Sequence, residues 1–136
     1  MADLDGLRIL LAEDNIVNQK VAMKMLETLG CSVDVANDGI EALEMWESSR
    51  YELVFMDVHM PGMDGMETTG RMREIESGCG RRRTPIIAMT ANAMEGDAER
   101  CFAAGMDDYA AKPVKKEILR SILTKWKERI AEDSQS

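Results

Sequence analysis

The chain has one histidine, His59, and three cysteines, Cys31, Cys79 and Cys101, in 136 residues. No Cys-x-x-Cys pair is present, which excludes a zinc centre of the usual kind. An odd, widely spaced cysteine set points to reduced thiols and to a cytoplasmic protein. No apolar run approaches the roughly 20 residues that span a bilayer, so no membrane contact is expected. The N-terminus carries Asp3 and Asp5 and has no basic stretch, unlike a secretory signal. There is no linker, internal repeat or low-complexity segment. No glycine-rich loop follows the first apolar run, which argues against a flavin or nucleotide carrier. Excess positive charge is also missing. The net charge is -8, so nucleic acid is not the default partner.

What is present is 45% hydrophobic and 31% charged, the balance of a globular domain. The length fits one domain, 1–136, with a core from about residue 7 to 130. Two basic features run against the acidic total. Arg81, Arg82 and Arg83 form one, read as a solvated loop. Lys115, Lys116, Arg120, Lys125, Lys127 and Arg129 form the other, read as a solvated helix face.

Apolar runs and helical periods alternate. Strands are expected over Leu7–Ala12, Ser32–Ala36, Leu53–Asp57, Pro85–Thr90 and Asp108–Ala111. Helices are expected over Asn15–Leu29, Gly39–Ser48, Met66–Glu76, Glu95–Ala104 and Lys115–Ile130. In the first helix, Val21, Met25 and Leu29 mark the inward stripe. Ile40, Leu43 and Trp46 or Glu47 mark the turns of the second. Leu119, Ile122, Leu123, Trp126 and Ile130 fall at core spacing in the last. Residues 131–136 read as a frayed tail. Five strand–helix pairs in strict alternation predict an α/β fold, a doubly wound parallel sheet with helices on both faces. Sites in such sheets lie beyond the carboxyl ends of the strands.

That rule gathers chemistry at one rim. Glu13 and Asp14 follow the first strand, Asp57 ends the third, Thr90 ends the fourth, and Lys112 follows the fifth. Carboxylates that close repel by about 4 kcal/mol per pair at an effective dielectric near 20. They therefore call for a cation or a proton. Magnesium fits, being hard and usually held by one or two carboxylates with waters and phosphate oxygens. Asp57 is then a candidate nucleophile toward phosphorus, with Lys112 and Thr90 as partners for phosphoryl oxygens. Taken singly, Asp14 reads equally well as a helix cap, Lys112 as a surface lysine and Thr90 as an ordinary strand end.

The stretches Leu10-Leu11-Ala12-Glu13-Asp14-Asn15, Met56-Asp57-Val58-His59-Met60-Pro61-Gly62-Met63-Asp64-Gly65, Ala88-Met89-Thr90-Ala91 and Lys112-Pro113 together resemble the receiver domain of two-component signalling. The resemblance covers about Leu7 to Ile130. It implies a flavodoxin-like, chemotaxis-regulator-like fold, (βα)5, with strand order 2-1-3-4-5. It also implies that Asp57 is the phosphoacceptor and that Glu13, Asp14, Asp57 and the main-chain carbonyl of His59 bind Mg2+ or Mn2+. Thr90 and Lys112 would bind the phosphoryl group, Tyr109 would be the aromatic switch, and His59 and Asn92 would tune the phosphoryl lifetime. A cis Lys112–Pro113 bond is implied as well.

The run Ala12 to Ala22 looks most like receivers fused to hybrid histidine kinases. A histidine kinase or a histidine-phosphotransfer domain would then be the partner, with Ile16 a contact candidate. A homodimer through the fourth helix, fifth strand and fifth helix is a further expectation. No output domain is visible, so the chain is expected to be a stand-alone regulator or the cytosolic module of a longer sensor kinase. Such a module is not an enzyme beyond its own phosphorylation and slow autodephosphorylation. Two rivals are an aspartyl-phosphate-type phosphatase and a receiver that only docks. The phosphatase would need an Asp where His59 stands, and the complete site argues against the docking receiver.

Overall fold

The computed structural model describes residues 6–60, 62–91 and 96–135. Five strands, β1 (Arg8–Ala12), β2 (Ser32–Ala36), β3 (Leu53–Asp57), β4 (Ile86–Thr90) and β5 (Asp108–Ala111), alternate with five helices. These are α1 (Ile16–Thr28), α2 (Gly39–Ser48), α3 (Gly65–Cys79), α4 (Asp97–Ala104) and α5 (Lys116–Gln135). The strands form one sheet in the order β2-β1-β3-β4-β5, and every neighbouring pair is parallel.

Burial follows from the apolar runs. Every residue of β3 and β4 is buried, as is β1 from Ile9 onward, because these strands have helices on both faces. Alternation along the strands divides the core in two. Ile9, Leu11, Phe55 and Ile87 point to the side covered by Leu26 of α1 and by Leu119, Leu123 and Trp126 of α5. Leu10, Val54, Met56 and Ile86 point to the side covered by Trp46 of α2, Met72 of α3 and Cys101 of α4. Burial raises the pKa of the Cys101 thiol, with nearby Arg100 opposing only weakly, so it packs as a small apolar group.

Three helices begin on side-chain caps just past the carboxyl edge of the sheet. Asn15, Asp38 and Asp64 accept from the main-chain N–H of Asn18, Glu41 and Glu67 at 3.0, 2.8 and 2.8 Å. Such a cap is worth about 1 kcal/mol. Each cap also fixes where its helix leaves the rim that carries the candidate site.

The helix faces depart from expectation in several places. In α1 the buried line is Ala22 and Leu26, while Val21 is exposed. Apolar residues ring several sides of this helix, so periodicity alone does not choose a face. The small side chain of Ala22 is what fits against the sheet. Ile40 of α2 is likewise exposed, and Ala42 and Trp46 turn inward. Helix α3 runs through Gly78 to Cys79 and stops at Gly80, whose left-handed φ of 68° closes it. Helix α5 continues to Gln135 in place of a frayed tail, since neither proline nor glycine follows Ile130. The expected start of the fourth helix at Glu95 lies outside the described residues.

The arginine triplet is also more than a solvated loop. Arg81 donates to the main-chain carbonyls of Trp46 and Ser49 at 2.7 and 3.0 Å, and its guanidinium lies 4.0 Å from the Trp46 ring centroid. Arg83 pairs with Asp107 at 2.9 Å. These contacts tie the β3–β4 side of the sheet to α2 and to the start of β5.

Arg73 is the densest polar joint at this end. It donates to Gly105 O at 2.9 Å, Glu76 Oε1 at 2.8 Å, Thr84 O at 2.9 Å and Asp107 Oδ2 at 2.7 Å. Glu76 is buried and also accepts from the Thr84 N–H at 2.7 Å. Arg73→Met leaves Glu76 and Asp107 without their shared cation. Breaking a buried pair this way costs about 3–5 kcal/mol. The urea unfolding midpoint should fall accordingly, and Arg83→Met, at a side chain 59% exposed, should cost far less.

Candidate functional site

The strand order reverses beside β1, between β1 and β3, and the carboxyl ends of these strands carry the acids. Glu13 and Asp14 lie immediately after β1, and Asp57 is the last residue of β3. Thr90 ends β4 next door, and Lys112 follows β5 directly. The five side chains predicted from sequence therefore share one rim.

Glu13 and Asp57 are 2% and 3% exposed, whereas Asp14 faces solvent. One carboxylate oxygen from each of the three lies within 4.8 Å of the others. Lys112 Nζ stands between two of them, 2.9 Å from Glu13 Oε1 and 3.0 Å from Asp57 Oδ2. Burial of Lys112 pulls its pKa down, but hydrogen bonds and charge from Glu13 and Asp57 outweigh that and the net shift is upward. Three carboxylates against one ammonium leave the cluster short of positive charge. The donors are all hard oxygens, the set that suits magnesium. The residues present fit such an ion.

The main chain holds these groups from several sides. The Glu13 N–H donates to Ala36 O at 3.1 Å, and Glu13 Oε2 accepts from the Asn15 N–H at 3.2 Å. The His59 N–H donates to Asp57 Oδ1 at 3.2 Å, while the His59 residue itself is exposed at the mouth. The Lys112 N–H donates to Thr90 O at 2.8 Å, which joins the two expected phosphoryl-binding residues through backbone. The Lys112–Pro113 bond is cis, as the resemblance implied. Gly65 opens α3 in contact with the end of β3. Its N–H donates to Val58 O at 3.1 Å, and a Cβ there would stand 2.3 Å from Asp57 O. No side chain fits between them.

Tyr109 on β5 is 40% exposed, and its ring meets Phe102 edge-on with centroids 6.1 Å apart. Thr90 is fully buried. Asn92 lies outside the described residues. Two side chains at the rim escaped the sequence reading, Gln19 and Asn37. Gln19 is six residues past Glu13, on the second turn of the helix that follows it, and that spacing is the signal they left.

The sequence matches the response regulator receiver domain family over residues 9–124. The chain belongs to that family. Among curated proteins it is 39% identical to Probable histidine kinase 1 of Oryza sativa subsp. indica over 88% of the chain, and 42% identical to Hybrid signal transduction histidine kinase K of Dictyostelium discoideum over 88%. It spans only 15% and 10% of the lengths of those two relatives.

Among solved structures, the receiver domain of the sensor histidine kinase PA1611 from Pseudomonas aeruginosa PAO1 is 49% identical. It was solved with magnesium coordinated in the active-site cleft, and its TM-score is 0.79 over 89% of this chain and 97% of that one. A chain in the co-crystal structure of the Saccharomyces cerevisiae phosphotransfer protein Ypd1 with the Ssk1 receiver domain is 29% identical. Its TM-score is 0.84, covering 90% of each chain. The fold and family are those of a signalling receiver rather than a classical enzyme. Among the described residues no helix is long and apolar enough to cross a membrane.

The upward shift at Lys112 has a definite sign. A cation whose folded pKa lies above its unfolded value of 10.5 stabilises fully below that pH and loses its contribution as pH rises through the folded value. Metal-free receiver should lose stability more steeply than Lys112→Met does as pH rises above the ordinary lysine value of 10.5. Melting followed by circular dichroism reads the difference. Parallel curves for the two proteins would refute the role given to this ammonium.

Proposed function

We propose that this domain takes a phosphoryl group from a phosphohistidine onto Asp57 and relays or reports it within a two-component pathway. The observation that supports this best is the setting of Asp57. It is a nearly buried carboxylate at a strand end, 3.0 Å from the Lys112 ammonium, with Thr90 at the end of the neighbouring strand. In the transfer, an Asp57 oxygen forms the new P–O bond as the P–N bond breaks. The electron pair leaves with the imidazole nitrogen, which takes a proton from solvent. Lys112 gives its charge to one phosphoryl oxygen and the Thr90 hydroxyl donates to another. Glu13, Asp14, Asp57 and the carbonyl of His59 would hold Mg2+, or Mn2+ with similar ligand preference. That ion supplies the positive charge that lets phosphoryl oxygens approach an acidic pocket.

Formation of the acyl phosphate draws Thr90 inward, and Tyr109 turns from solvent into the space it leaves. This alters the face on which Phe102, Tyr109 and Ile118 are exposed, on α4, β5 and α5, and that face is also the proposed homodimer surface. Slow autodephosphorylation resets the site, with His59 and Asn92 setting its rate.

The donor is a histidine kinase or a histidine-phosphotransfer domain. It docks on α1, where Ile16, Val17 and Val21 are 62%, 68% and 46% exposed, one turn from the acids. The co-crystal structure of Ypd1 with the Ssk1 receiver domain supports a partner of that kind. The domain works as a single unit over 1–136, as a cytoplasmic regulator or the cytosolic module of a longer sensor kinase.

Incubation with phosphorylated donors should label the chain with acid- and base-labile phosphate. Labelling should vanish in Asp57→Asn and on chelation of divalent metal. Label that persists in Asp57→Asn would remove this carboxylate from its role. For the docking face, Ile16→Glu combined with Val17→Glu should slow transfer from a phosphotransfer domain at least tenfold. Labelling by a small-molecule donor such as acetyl phosphate should stay within twofold of the native chain.

A further inference from the structure

The loop that presents the acids is held from outside the site by one side-chain amide. Gln19, on α1, donates from Nε2 to Glu13 O at 2.5 Å and to Asn37 Oδ1 at 2.9 Å. The two hydrogens of one NH2 group are thus spent on two acceptors. Asn37 is oriented in turn by Glu41, whose Oε1 accepts from both Asn37 Nδ2 and the Asn37 N–H at 3.1 Å. This chain of donors and acceptors works in one orientation only. A carboxylate at Asn37 would face the Glu41 carboxylate, and a carboxylate at Gln19 would set acceptor against acceptor twice. The Glu13 peptide is consequently gripped at both ends, its N–H by Ala36 O and its carbonyl by Gln19.

We propose that Gln19, oriented by Asn37, is a positioning residue for the carboxylate cluster. Its amide fixes the Glu13–Asp14 peptide and so sets where both side chains present oxygen to a divalent cation. Gln19 does not touch the ion or the phosphoryl group. It acts on the ligands from behind, as outer partners of ligating groups generally do. This rests on the reading of Glu13, Asp14 and Asp57 as a magnesium site.

Calorimetric titration of purified, metal-free protein with MgCl2 tests it, with urea unfolding of the same metal-free samples alongside. Gln19→Met keeps the length of the side chain and removes both donors. Its magnesium Kd should rise by about tenfold, the lower end of the loss seen when outer partners of metal ligands are removed. Asn37→Ala leaves Gln19 able to reach Glu13 but unanchored, and its Kd should rise by a smaller factor. Lys20→Met, at an exposed neighbour on the same helix, should leave Kd within twofold of the native value. A lower urea midpoint with Kd unchanged in both Gln19→Met and Asn37→Ala would mean a merely structural role and overturn the proposal. If Gln19→Met fails to fold, Asn37→Ala decides by the same criterion. No magnesium binding by the native chain would overturn the metal-site reading itself and this proposal with it. Binding by the native chain with equal binding by both variants would sink this proposal alone.

Discussion

Two nearly buried carboxylates share one ammonium, and most of the architecture around the site follows from that shortage of positive charge. Glu13 and Asp57 come from different strands, and only the β1–β3 adjacency brings them together. Lys112 comes from beyond β5, on the far side of β4, and reaches across the rim to both. A charge arrangement that is stable only when elements distant in sequence converge is sensitive to any error in strand order. It is also an arrangement left deliberately incomplete, since one ammonium cannot neutralise three acids. Whatever enters must bring positive charge or be accompanied by it.

The backbone sets the precision with which these charges are held. Gly65 lets the first turn of α3 press on the carbonyl of Asp57, and Gly39 does the same for α2 against the loop before α3, where a Cβ would stand 2.2 Å from Met63 O. These approaches and the helix caps place three loops against one another with little slack. The acidic loop after β1, the β2–α2 loop and the β3–α3 loop behave as one rim rather than three independent turns. Asp57, the proposed acceptor, and the residues that would hold a cation are consequently mounted on a common frame.

The fold was largely legible because the central strands are unbroken apolar runs. Ile86 to Thr90 could hardly be anything but a buried strand, and Asp57 and Thr90 stand where such runs stop. The site was legible for the same reason, since strand ends in a parallel sheet define a rim before any contact is known. Helix faces were harder. In α1, Val21 looked more buried than Ala22, yet the sheet takes the smaller side chain and leaves the larger one outside. Ile16, off the expected inward stripe, is indeed exposed, and Val17 beside it adds further apolar surface. The third helix was expected to end at Glu76, but it runs on to Cys79, and Gly80 is the residue whose left-handed backbone ends α3. The Arg73 hub was invisible because it depends on hydrogen bonds between segments, which no local pattern encodes, and the Gln19–Asn37 bridge left only the spacing from Glu13 to Gln19 as a trace.

The placement of the two tryptophans has a spectroscopic consequence. Trp46 donates its indole N–H to Thr84 Oγ1 at 3.0 Å, before β4 begins. Trp126 donates to Asp108 Oδ2 at 3.0 Å, at the start of β5. Both indoles therefore sit by the amino ends of strands, at the edge of the sheet opposite the carboxylates. Neither can be quenched by direct contact with an ion or an acyl phosphate at Asp57. Their emission watches the opposite edge of the molecule, so any change in it on phosphorylation would be light arriving from rearranged packing, a signal carried the length of the strands.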